Sequence, residues 1–87
     1  MNIEKLHEEC AVFGISIDGG EAAGLTYNGL LAMQHRGQEG AGIAVLSDRN
    51  ILYHKGEGLV SEVFTAPVLA KQPQSHIAVG HCRYSTT

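Results

Sequence analysis

Two cysteines among 87 residues are too few for a disulfide framework, and small secreted scaffolds that depend on disulfides usually carry more. A reducing compartment is the natural setting. Basic residues are scarce as well: six lysines and arginines against nine acidic residues leave a formal net charge of −3. Nucleic-acid binding normally requires a basic patch, so that function class is excluded. No stretch approaches the roughly 18 to 20 continuous apolar residues of a membrane span. The opening Met1 to Glu9 lacks both the basic start and the apolar centre of a secretory signal. The expectation is a soluble, cytoplasmic protein. Also missing are internal repeats, low-complexity segments and any Cys-x-x-Cys or His-x-x-x-His pair. Cys10, Cys82 and the five histidines are therefore poorly spaced for zinc.

What is present is globular in composition, 44% hydrophobic and 17% charged, with room for a single core. Residues 10 to 17 are apolar at alternating positions on both sides, which predicts a strand covered on both faces. Asp18-Gly19-Gly20 is a turn signal. From Glu21 to about Gln34 the spacing of Ala23, Tyr27, Leu30 and Leu31 predicts a helix, with Leu25 and Met33 off the stripe and packing on a second side. His35 to Gly42 holds three glycines and reads as a loop that begins with Gly37 as a left-handed cap. Two short strands, Ile43 to Leu46 and Ile51 to His54, flank a hairpin turn, and Lys55 to Gly58 reads as loop. A short helix around Leu59 to Phe64 ends before Pro67, and a helical turn at Val68 to Lys71 lies in the connection that follows. His76 to Tyr84 is the last strand. Ile77, Val79, His81 and Arg83 share one of its faces, and Ala78, Gly80, Cys82 and Tyr84 the other.

Cys10 is the residue on which the chemistry turns. As an internal residue it is a small buried hydrophobe. If Met1 to Glu9 is removed, it becomes a terminal residue with both a thiol and a free α-amine. Their ordinary pKa values, roughly 8.5 and 7.7 to 8.0, let the amine take the thiol proton near neutrality. Nucleophile and base then belong to one residue.

Three blocks carry a resemblance: Glu8-Glu9-Cys10-Ala11-Val12-Phe13-Gly14-Ile15, Leu31 to Ile43 with its core Gln34-His35-Arg36-Gly37-Gln38-Glu39-Gly40-Ala41-Gly42, and Gly80-His81-Cys82-Arg83-Tyr84-Ser85-Thr86. Their order and spacing resemble the class II glutamine amidotransferases. The second block and Lys55 to Phe64 are similar in particular to the members that use phosphoribosyl pyrophosphate. The resemblance implies an α+β fold, the N-terminal half of an αββα N-terminal-nucleophile hydrolase sandwich, incomplete as given. It divides the chain into a 1–9 leader or propeptide and a 10–87 partial glutaminase domain.

By the same resemblance Cys10 is the catalytic nucleophile on the glutamine amide. Arg83 pairs with the substrate α-carboxylate, Thr86 belongs to the same substrate loop, and Arg36 lies beside the nucleophile. A guanidinium fork suits a carboxylate, and the arginine should be partly enclosed to be effective. Read without the family, Arg83 is better taken as a structural arginine at a strand end, and Arg36 as a helix cap favoured by the dipole. His35 and His81 read as scaffold. Ala11, Cys82 and Thr87 depart from the family's usual residues. The family's oxyanion segment and the aspartate that holds the substrate amine fall outside the matched blocks. The implied partners are glutamine and, through a second domain, phosphoribosyl pyrophosphate, with a homo-oligomer when complete and neither nucleic acid nor membrane. No cofactor is expected in this chain; magnesium, and in one subgroup an iron–sulfur cluster, are implied for the complete enzyme. The competing function is a noncatalytic fragment that serves as a structural or partner-binding piece.

Overall fold

A computed structural model describes residues 10–34 and 37–84, with Cys10 described through its backbone. The elements in order are β1 (Cys10–Ser16), α1 (Ala22–Met33), β2 (Gln38–Ser47), β3 (Asn50–Glu57), α2 (Val60–Val63), α3 (Ala66–Ala70) and β4 (Ile77–Tyr84). The four strands form an antiparallel sheet in the order β1-β4-β2-β3. The last strand thus lies inside the sheet, between the first strand and the hairpin.

One face of this sheet is covered by α1. Alternation along β4 sends Ala78, Gly80, Cys82 and Tyr84 to that face, where all are buried. Ile43 and Val45 from β2 join Leu30 and Ala23 from the helix, and Val60, Val63 and Phe64 close the end of the core. Gly80 sets the approach of helix to sheet, because a Cβ there would lie 2.7 Å from Thr26 Cγ2 and 2.9 Å from Leu30 Cδ1. Ser75 joins helix, hairpin and last strand. Its carbonyl accepts the Ala22 N–H, and its hydroxyl accepts the Ile77 N–H and donates to the Leu46 carbonyl.

The opposite face is open. Val12 is 68% exposed, Val79 47% and Ile51 71%, so β1 is covered on one face rather than on both as its pattern predicts. This arrangement is α+β, with one β-layer and one α-layer of the expected sandwich. Leu25 and Leu31 are also exposed, and the helix buries a single stripe of Ala22, Ala23, Thr26 and Leu30. Three of those four stripe residues, Ala22, Ala23 and Thr26, are small and let the helix lie close to the sheet, while the two leucines face outward. Residues 38–42, read as loop, are strand, and the hairpin strands run from Gln38 to Ser47 and from Asn50 to Glu57. Asp48, at φ 53°, makes the tight turn between them. Pro67 lies within the first turn of α3 rather than in an irregular connection, as suits a residue without an N–H.

Candidate functional site

The site begins with a strand register. Cys10 stands opposite Arg83 at the end of the β1–β4 pair, followed by Ala11 opposite Cys82 and Val12 opposite His81. Arg83 is paired on its other side with Gly40 of β2. Nucleophile candidate and carboxylate-binding candidate thus occupy adjacent strand positions, although they are 73 residues apart in sequence. Arg36 and Thr86 lie outside the described residues, as does the 1–9 leader.

Pairing of β2 with β4 breaks register at this point: Gln38 opposes Tyr84, Gly40 opposes Arg83, and Glu39 is the extra residue of a bulge. A bulge bends its strand and re-aims a side chain. Glu39 accordingly meets Arg83, with Oε1 3.0 Å from Nη1, while Glu57 Oε1 lies 3.6 Å from Nη2. Gly40 leaves the space through which the arginine runs, because a Cβ there would be 3.4 Å from Arg83 Nε. The arginine side chain remains 53% exposed, more open than a carboxylate clamp was expected to be.

Gln38 holds the bulge from beneath. Only 5% exposed, it donates to the Gly40 carbonyl at 2.8 Å and the Gly58 carbonyl at 3.0 Å, and accepts the Val60 N–H at 3.0 Å. Its amide is therefore satisfied on both sides, which a buried side chain requires. Gly58, at φ 120°, occupies backbone space that side chains rarely adopt. Gln34 also accepts the Val60 N–H, and Glu62 accepts the Leu59 N–H, so the 58–60 corner is held from three sides. From β4, the Tyr84 hydroxyl donates to the Met33 carbonyl and ties the end of α1 to the strand that carries Arg83. Burial, then the neighbouring Cys82, raises the Tyr84 pKa and keeps that hydroxyl a donor.

Beyond Arg83 the open face forms a cleft of about 460 Å³ lined by Tyr53, Lys55, Glu57, His81 and Arg83. The Tyr53 hydroxyl is 2.7 Å from His81 Nε2, and burial followed by the Lys55 charge holds the His81 pKa below its ordinary value. His81 is therefore hydrogen-bonded to Tyr53, and its surroundings favour the neutral imidazole. Cys82 is a buried free thiol on the helix side of β4, with its pKa raised by burial. A thiol in that state is a poor nucleophile. Among the described residues no helix is long and apolar enough to cross a membrane.

Glu39 and Gln38 were not singled out in sequence. Both open the Gln-Glu-Gly-Ala-Gly run, whose glycines concealed a strand; the available signal was the polar pair itself, lying between Gly37 and Gly40.

Amidophosphoribosyltransferases match along nearly the whole chain. The Mycobacterium tuberculosis protein is 58% identical over 80 residues, 92% of this chain and 15% of that protein. The Bacillus subtilis protein is 49% identical over 84 residues, 97% of this chain and 17% of its own length. A solved structure described as the allosteric regulatory enzyme of purine biosynthesis superposes with a TM-score of 0.75 at 46% identity, covering 85% of this chain and 16% of that one. The glutamine phosphoribosylpyrophosphate amidotransferase of B. subtilis, complexed with ADP and GMP, superposes with a TM-score of 0.74 at 47% identity, over 87% of this chain and 16% of that one. No family model matches the chain. The chain spans about a sixth of the length of these relatives. In both sequence and fold the chain is similar to the N-terminal stretch of amidophosphoribosyltransferases.

Proposed function

We propose that these residues form the nucleophile side of a glutaminase site that supplies ammonia for phosphoribosylamine synthesis. The observation that carries the reading is the Cys10–Arg83 register, which sets the two residues implied to act on glutamine opposite each other. Removal of Met1 to Glu9 frees the Cys10 α-amine, which takes the thiol proton. The thiolate adds to the side-chain amide carbon of glutamine, and the C–N bond then breaks as the amine returns a proton to the leaving nitrogen. Ammonia departs and a glutamyl thioester remains; water hydrolyses it to glutamate and restores the thiol. Arg83 holds the substrate α-carboxylate through its planar fork. Arg36 and Thr86 complete the substrate side of this reading.

In the complete enzyme ammonia displaces pyrophosphate from phosphoribosyl pyrophosphate, the first committed step of purine synthesis, in a cytoplasmic homo-oligomer. Magnesium would accompany the pyrophosphate group and an iron–sulfur cluster would belong to one subgroup. Among the described residues no three His, Cys, Asp or Glu side chains gather as a metal site, and no step above runs through a metal or cluster.

The test is Cys10→Ser in a full-length enzyme carrying these residues. Glutamine-driven synthesis should be lost and ammonia-driven synthesis kept, with intact mass showing that the wild type begins at Cys10. Full glutamine use with the leader retained contradicts the reading.

A further inference from the structure

Arg83 already has carboxylate partners. Glu39 approaches one terminal nitrogen at 3.0 Å and Glu57 the other at 3.6 Å, so the two ends of the fork face two acidic side chains. Both pairs are solvent-exposed, with the Glu39 side chain 46% and the Glu57 side chain 88% accessible. Exposed ion pairs of this kind are weak and screened. Their placement, however, is built: Glu39 is the extra residue of the β2 bulge, the bulge is held by the buried Gln38 amide, and Gly40 leaves room for the arginine to lie across the strand. A fold that needed only a surface salt bridge would require no such arrangement.

Resting on the reading of Arg83 as the partner of the glutamine α-carboxylate, we propose that Glu39 is an exchangeable counter-ion for that carboxylate. In the absence of glutamine it holds the guanidinium aimed along the open face. Glutamine binding replaces the single 3.0 Å contact with a two-pronged carboxylate contact, and the Glu39 side chain turns to solvent. The weakness of the exposed pair is what permits the exchange, since a buried pair is strongly disfavoured from separating. Glu39 is thus a positioning residue that competes with substrate for the same nitrogen. Glu57, longer in contact and almost wholly solvated, contributes less to the competition.

The experiment compares Glu39→Gln, Glu39→Ala and Arg83→Lys in a full-length amidophosphoribosyltransferase carrying these 87 residues, with glutamine and with 4-aminobutanamide, which has the amide but no α-carboxylate. Removal of the competing charge should lower the glutamine KM about two- to fivefold in both Glu39 variants, the range set by an exposed ion pair. The effect falls on KM rather than kcat, and neither variant should alter use of 4-aminobutanamide. A raised glutamine KM in both variants, no change in either, or an equal change with both substrates would overturn the proposal. Arg83→Lys separates this from the reading beneath it. If that variant raises the glutamine KM while Glu39→Gln leaves it unchanged, only the counter-ion role fails; if it leaves the KM untouched, the assignment of Arg83 itself fails.

Discussion

The two faces of the sheet are built from the same four strands and differ in nearly every physical respect. On the helix side, alternate residues of β4 are small or apolar and buried, and the core closes over them. On the other side the same strand presents Ile77, Val79, His81 and Arg83, flanked by Tyr53, Lys55 and Glu57 of the hairpin. The first face supplies burial, at roughly 25 cal/mol per Å² of apolar surface. The second holds the groups that could meet a ligand, and its polar contacts are solvent-exposed. The buried core and the open polar face are therefore divided by the parity of a residue along one strand.

Substitutions on either face sharpen or break that comparison. Leu30 is fully buried beneath the sheet, and Leu30→Ala should cost about 2–5 kcal/mol in equilibrium denaturation, as buried leucine truncations do. A loss under 1 kcal/mol would mean that the covered face is not the core. An intermediate effect is expected at His81. Its pKa is depressed by burial and by Lys55 from the ordinary 6.5, so the unfolded chain takes up the proton first as pH falls. The stability that His81 contributes is present above the unfolded value and is lost as pH falls through the window just below 6.5. His81→Gln should flatten the melting-temperature profile in that window, and an unchanged profile would remove His81 from the account. The smallest effect belongs to Val79, 47% exposed on the open face. Val79→Thr should change unfolding free energy by no more than about 0.5 kcal/mol; a loss of several kcal/mol would show that the open face is a second core.

Much of this division was legible in sequence because a strand's period is fixed. The two faces of β4 follow from its alternation, and the helix follows from Ala23, Tyr27 and Leu30 on one stripe. The stretch from Gln38 to Gly42 was not legible. Three glycines in His35 to Gly42 suggest a loop by propensity, yet Gly40 and Gly42 are glycine in a strand because Arg83, His81 and Tyr53 pass over them. That reason is visible only once β4 is known to lie alongside. The same holds for Gln38 and Glu39, whose roles come from a bulge that brings together residues more than 40 apart in sequence. Leu25 and Leu31 were misplaced for the converse reason, since helical spacing counts apolar residues but does not reveal which neighbours exist to cover them.

The most direct measurement is the Arg83→Lys substitution read two ways at once, by glutamine kinetics and by melting temperature. Lysine keeps the charge and loses the fork. The account predicts a glutamine KM raised by about 1.5–3 kcal/mol in free-energy terms, the scale of a charged hydrogen bond, with little change in melting temperature. Unchanged kinetics together with a large fall in melting temperature would contradict it, and would assign Arg83 to holding the sheet together instead of to holding a substrate.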